Sequence, residues 1–138
     1  MTPLLNSQSQ LTAAMTAYNE RMRVVAQNLS NARTTGTTPG ESPYSRQLPI
    51  FESYFNRAAG QNLVRIKEII QDKTPFKEES DPSHPAADER GIVKMPNVEP
   101  LVEVMDMNQS AQGLKRLFKA YRVATQMRHM TLALLKNA

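Results

Sequence analysis

Cysteine is absent from the 138-residue chain, so it can build no disulfide framework, no thiolate metal site and no thiol nucleophile. Its absence leaves the compartment open. Tryptophan is missing as well and aromatic residues make up only 6% of the chain, so a core must rely on Leu, Val, Ala and the eight methionines. Flexible Met suits the irregular gaps between packed helices. No long apolar run is present: the cluster Leu132 to Leu135 falls far short of the roughly 20 residues that a membrane span needs. The start, Met1-Thr2-Pro3-Leu4-Leu5-Asn6, lacks the basic and apolar regions of a secretory leader. The chain is therefore expected to be soluble as made and to leave the cytoplasm, if it does, without cleavage of a leader. Its length suits one modest core rather than two independent ones.

Acidic residues are absent from residues 107–138, although six bases occur there (Lys115, Arg116, Lys119, Arg122, Arg128 and Lys136), a net of +6. Residues 68–106 hold ten acids against four bases, a net of −6. The whole chain carries +4, and its sequence pI is about 9.6. Opposite blocks of this kind can meet head to tail between copies, where complementarity fixes register and partner choice. A solvated basic helix beside an acidic loop explains the charges equally well.

From Leu11 the apolar positions step by four and three through Met15, Tyr18, Met22, Val25, Leu29 and Ala32, a coiled-coil-like seam. Neither Gly nor Pro interrupts Leu4 to Ala32, which predicts a long helix whose first ten residues, rich in Ser, Gln and Asn, could fray. Thr34-Thr35-Gly36-Thr37-Thr38-Pro39-Gly40 then ends it. Tyr44 to Tyr54 reads as extended, and Leu63 to Ile70 alternates apolar and charged residues like a strand. Five prolines between Lys73 and Pro100 predict sparse regular structure, apart from a short strand at Ile92 to Met95. A second long helical pattern begins at Val98. After the polar stretch Asn108-Gln109-Ser110 it carries two adjacent stripes, Leu114, Leu117, Tyr121, Ala124 and Ala120, Val123, Met127, Met130, Leu134. Gly113 reads as a weak spot worth about 1 kcal/mol against Ala.

The expected fold is mainly α with a small β-bearing, irregular middle. Its segments are an N-terminal helix over 1–34, an extended Pro-rich stretch over 35–97 and a C-terminal helix over 98–138. The two helices are expected to pair in a coiled-coil-like bundle, since neither can bury its stripe alone. Apolar surface left over implies further partners.

Asp81-Pro82-Ser83-His84-Pro85-Ala86-Ala87-Asp88-Glu89 is the one cluster that looks catalytic, with an imidazole among three carboxylates. Its spacing matches no zinc signature, no second His lies nearby, and its prolines make it a stiff turn. His129 is a lone helical His with no assigned role. There is no positioned nucleophile and no Gly-rich phosphate loop, so no catalytic residue, metal or cofactor is expected. Nucleic-acid binding would rest on the basic last helix alone, without a readable motif.

Asn28-Leu29-Ser30-Asn31-Ala32 with Thr34-Thr35 resembles the Asn-x-Ala-Asn-x-x-Thr signature of flagellar rod and hook proteins. Asp81, Pro82, His84, Pro85, Asp88 and Gly91, followed by Pro96-Asn97-Val98, resemble the hallmark of the flagellar basal-body proximal rod protein family. Glu103-Val104-Met105-Asp106-Met107 and Gly40-Glu41-Ser42-Pro43-Tyr44 with Arg46 continue the likeness along nearly the whole chain. Where that family has an Arg-x-Tyr-x-x-Asn pattern early in the last helix, this chain has Gln112, Leu114 and Leu117.

The resemblance implies a structural subunit of the periplasm-spanning rod, exported uncleaved by the flagellar type III apparatus and polymerising into a helical tube that transmits torque. It also implies partners: other copies, other rod proteins, the export apparatus, and ring and adaptor proteins at the rod base. No nucleic acid and no membrane span belong to this reading. On it, Leu11, Met15, Tyr18, Met22, Val25 and Leu29 pack between subunits, as do Leu117, Tyr121, Val123, Met127, Met130 and Leu134. Asn28 and Asn31 would end the first helix and Pro96-Asn97 would start the second. A small cytoplasmic coiled-coil module, such as a secretion chaperone or basic adaptor, is the competing reading.

Overall fold

The computed structural model describes residues 2–136, with side chains described from Leu5. Met1, Asn137 and Ala138, the outer ends of the expected terminal segments, lie outside the described residues. The order is α1 (Thr2–Ser30), β1 (Gln47–Asn56), β2 (Gln61–Gln71), β3 (Lys77–Ser80), β4 (Ile92–Met95) and α2 (Pro100–Lys136). β1 and β2 form one two-stranded sheet, and β3 and β4 form another.

α1 stops where the sequence predicts, and Asn31 closes it. The Asn31 side chain donates to the Gln27 carbonyl at 2.9 Å, which also takes the Asn31 amide, and accepts from the Thr34 hydroxyl at 3.0 Å, so it ties the last turn to the loop that follows. Glu41 then organises the loop, its carboxylate accepting the amides and hydroxyls of both Thr37 and Thr38. α2 begins with Pro100, whose missing amide hydrogen is no loss in a first turn. Pro96-Asn97 does not start that helix. Asn97 stays outside it and binds the backbone of residues 46, 72 and 74. The polar stretch at 108–110 leaves α2 unbroken.

β3 contradicts the expectation of sparse structure between Lys73 and Pro100 apart from β4. It pairs antiparallel with β4, Lys77 opposite Met95 and Ser80 opposite Ile92. All four of its residues are exposed, so the ladder rather than side-chain burial holds it, and no apolar alternation could betray it.

The chain divides into two compact units. One comprises α1 up to Met22, Ile50–Glu68 and α2 from Asn108. In it α1 and α2 run antiparallel, with Gln8 bonded to Thr125 and Arg128 near one end and Tyr18 against Gly113 further along. Ala17 and Ala124 are buried there with Leu63 of β2. Phe51 of β1 meets the Tyr18 ring edge-on at 6.3 Å and lies under the Arg21 guanidinium at 5.9 Å. The other unit, Arg23–Pro49 with Ile69–Met107, buries Val24, Val25, Ala86, Val93, Pro96 and Val98 around two polar residues, Asn28 and Glu103.

Gly113 is a seat rather than a weak spot. A Cβ at that position would stand 2.6 Å from Cε1 of the Tyr18 ring. Helix propensity alone would make Gly113→Ala stabilising by about 1 kcal/mol, whereas overpacking against a ring reverses the sign, at about 1–3 kcal/mol. Thermal unfolding should therefore show Gly113→Ala melting below the parent. Placed in a Tyr18→Ala background, the same substitution should become neutral or stabilising.

Candidate functional site

Two features follow from this architecture: a polar clasp inside the second unit and an open face on the α2 part of the first. The clasp centres on Glu103, which is fully buried. Its position follows from spacing, since Glu103, Met107, Ser110, Leu114, Leu117, Tyr121 and Ala124 step by four and three along one stripe of α2. A carboxylate on an inward stripe must be paired. Arg46, just before β1, donates from Nε to Oε1 at 2.5 Å, and Asn28 of α1 donates from Nδ2 to Oε2 at 3.2 Å.

Asn28 is hydrogen-bonded at every valence. Besides Glu103, its Nδ2 donates to the Gln47 carbonyl at 2.8 Å, while Oδ1 accepts from the Tyr44 hydroxyl at 2.8 Å and the Gln47 amide at 2.9 Å. It therefore fastens the middle of the chain to the helix instead of capping the helix, as the sequence reading expected. Arg46 reaches on to Asp72 at 3.5 Å, and Asp72 returns its backbone amide to the Arg46 carbonyl at 2.7 Å. Burial works to lower the Arg46 pKa, but Glu103 and then Asp72 outweigh it and the net shift is upward. Burial, and then the charge of Glu103, push the Tyr44 phenol up, which keeps it a donor.

The motif at 81–91 is a closed turn. Asp81 accepts the Ser83 hydroxyl and amide, and Asp88 accepts the amides of Arg90 and Ile92, both at 2.9 Å. Both carboxyls are held below the usual range, Asp81 chiefly by the Ser83 hydroxyl and Asp88 chiefly by the Ile92 amide. Gly91 has φ +76°, and a Cβ there would stand 2.8 Å from Pro82 Cγ. His84 accepts the Ala86 amide at Nδ1, which leaves Nε2 as the donor toward the Thr35 hydroxyl at 3.3 Å in the neutral ring. Both ring nitrogens are thus engaged. Among the described residues no group of three His, Cys, Asp or Glu could hold a metal.

Of the expected packing residues, Val25 is buried and Leu11, Met15, Tyr18, Met22, Leu29, Leu117 and Tyr121 are half-buried. Val123, Met127, Met130 and Leu134 lie open, 52–72% exposed. No described residue covers them. Among the remaining motif residues, Pro96 is buried, Asn31, Ala32, Asp106 and Met107 are half-buried, and Pro85 and Met105 are exposed. Sequence reasoning saw Arg46, Tyr44 and Glu103 only as parts of a likeness. The signal that places Glu103 inside was available, because it continues the stripe through Leu117 and Ala124.

No family model matches the chain. It is 35% identical to a flagellar basal-body rod protein FlgC of Agrobacterium fabrum, over 99% of this chain and 98% of that one. It is 32% identical to the FlgC of Aquifex aeolicus, over 91% and 92%, and 30% identical to that of Escherichia coli, over 95% and 97%. Two long helices, a small strand-bearing middle and matches of this length place the chain among the flagellar basal-body rod proteins. Within that class it belongs to the FlgC family.

Removing one partner of a buried ion pair strands the other. Glu103→Ala should lower the unfolding free energy by about 3–5 kcal/mol, and Asn28→Ala by about 1–3 kcal/mol. The double variant should lose less than the sum, because the two share a network; urea unfolding measures all three.

Asp72 is held below its usual pKa, chiefly by the Thr74 hydroxyl and amide and further by Arg46. A carboxyl depressed in the folded state contributes stability above its unfolded pKa, about 3.9, and loses it as pH falls through the folded value. Melting temperature should therefore hold between about pH 7 and 5 and drop below about pH 4. Asp72→Asn should melt lower at neutral pH and show a smaller drop in acid.

Proposed function

We propose that the chain is a structural subunit of the flagellar basal-body rod, polymerising through its terminal helices, and that it catalyses no reaction. The carrying observation is the open stripe of α2, four large apolar side chains on one line of a helix in a protein whose relatives are rod proteins. Exposed apolar surface of this kind marks an interaction site. Segments 1–34 and 98–138 would form the helical wall, and 35–97 would brace neighbouring copies. Heterologous contacts that do not close generate a helical assembly rather than a dimer.

Other copies and other rod proteins are the partners of this reading. The type III export apparatus would deliver the chain uncleaved to the periplasm, and ring and adaptor proteins would meet it at the rod base. The occupied ring of His84 supports a structural role for the 81–91 turn. No helix among the described residues is long and apolar enough to cross a membrane. The cytoplasmic chaperone or adaptor reading finds no support, since the relatives with nearly full coverage are basal-body rod proteins.

Burying one Met or Leu is worth about 1.5–3 kcal/mol, and a carboxylate placed in an apolar seam reverses that gain. Met127→Asp should leave the chain exported but absent from purified basal bodies, and the cells non-motile. Met127→Leu should assemble and swim normally. Complete rods in Met127→Asp cells would overturn the reading.

A further inference from the structure

The middle of the chain repeatedly lets a side chain accept the backbone amide two residues further on. Asp72 takes the Thr74 amide at 2.9 Å, Asp81 that of Ser83 at 3.2 Å and Asp88 that of Arg90 at 2.9 Å. At a fourth place the acceptor is an imidazole: His84 Nδ1 takes the Ala86 amide at 3.1 Å. The pattern is that of an Asx turn, which Asp and Asn make with an oxygen. A carboxylate goes on accepting down to about pH 4, whereas an imidazole changes charge between about pH 5 and 8 and, as a cation, offers no lone pair. Of these turns, the one at His84 alone is open to control by pH near neutrality.

That turn also reaches furthest. Ala86 is buried, and through Nε2 the same ring reaches the Thr35 hydroxyl, at 3.3 Å, in the loop that leaves α1. With Nδ1 accepting, the neutral ring carries its hydrogen on Nε2 and donates it to Thr35. A second proton can go only on Nδ1, where it would face the Ala86 amide hydrogen. The cation therefore sets donor against donor.

The charged ring has another place to go. His84 lines a cavity of about 200 Å³ with Arg33 and Thr35 from the exit of α1, Glu79 of β3, Asp81 of its own turn, and Val93 and Met95 of β4. The charged groups that face it are thus Arg33, Glu79 and Asp81, and β4 contributes none. Asp81 already holds the Ser83 hydroxyl. Glu79 is exposed and makes no ion pair with a described residue, so its carboxylate is open to an imidazolium that has left Ala86, while Arg33 opposes that charge.

We propose that His84 is a pH-operated latch: neutral, it fastens the 81–91 turn to the exit of α1 through Ala86 and Thr35, and protonated, it releases both and turns toward Glu79. The latched state binds fewer protons, so latching strengthens as pH rises and is lost as pH falls. Opening is local, because a turn opens at far less cost than the whole chain. Glu103, Arg46 and Asn28 hold one another without His84, so the melting temperature does not report the latch. Both states belong to the free chain, and the proposal stands apart from the rod reading.

The test uses the purified full chain. Ring-nitrogen NMR at about pH 7.5 should show His84 with a bare Nδ1 and a protonated Nε2. Amide exchange should give Ala86 a protection factor at least about tenfold lower at about pH 5 than at about pH 7.5, the factor dividing out the intrinsic effect of pH. His84→Asn, whose side-chain oxygen accepts the same amide and does not titrate, should hold Ala86 within about twofold over that range. His129→Gln, which removes the other imidazole, should keep the drop of the parent. Glu79→Gln should move the midpoint of the drop to lower pH and Arg33→Gln to higher pH, since the first removes support for the cation and the second removes opposition to it.

A protonated Nδ1 at about pH 7.5 would overturn the proposal. Equal protection of Ala86 at both pH values in the parent, or a drop of the same size in His84→Asn, would do so as well. Should His84→Asn fail to fold, the ring spectrum and the two midpoint shifts decide, and midpoints unmoved in both Glu79→Gln and Arg33→Gln would sink the idea.

Discussion

A carboxylate with no access to water, Glu103 is the constraint from which the second unit takes its form. Left alone it would be costly enough to exclude the fold, and Arg46 and Asn28 together make it tolerable. Each partner brings a different stretch of chain. Asn28 carries α1 and, through Tyr44 and Gln47, the approach to β1. Arg46 carries the end of β2 by way of Asp72, and Asn97 ties both to the segment before α2. A buried pair of this kind rarely exceeds the stability of apolar side chains of the same volume. Its contribution is to position: one turn of slip of α2 would take Glu103 away from both partners.

The first unit is built on the opposite principle. Its helices meet through small and half-buried residues, and Gly113 lets the Tyr18 ring approach the α2 backbone where any side chain would block it. Specificity there comes from shape. The cost is that α2, apolar on more than one side, can turn only one stripe inward. Val123, Met127, Met130 and Leu134 remain in water, and a molecule with that surface gains by assembling. An internally fixed unit and an externally unfinished one suit a subunit that must keep its own register while lending a helix face to others.

Periodicity made the two helices and β2 legible, because each carries the spacing of its own geometry. It failed where backbone pairing or a single polar atom decides. β3 is four polar, exposed residues, and only its ladder to β4 makes it a strand. The two stripes of α2 both step by three and four, so spacing alone could not say which faces α1. Asn28 looked like a helix end because Asn favours such places; its true role depends on Tyr44, Gln47 and Glu103, which are distant in sequence. Gly113 looked like a defect because propensity is blind to what lies across the helix.

Charge was the feature that linear reading left open between two accounts. Ten acids in residues 68–106 suggested a negative surface to meet the positive last helix of another copy. A run of acidic residues is a negative surface only where the carboxylates face outward, and part of this run does not: Glu103 is buried on Arg46, Asp81 and Asp88 close a turn, and Asp72 holds Thr74. Of the basic run, Arg128 bonds Gln8, while Lys115, Arg116, Lys119 and Arg122 make no ion pair with a described residue. Turns and caps call on acceptors because they must satisfy free backbone amides, and a carboxylate does that at short range whereas a lysine cannot. The same backbone demand that organises the middle of the chain therefore turns part of its negative charge inward, while Lys115, Arg116, Lys119 and Arg122 of α2 face outward.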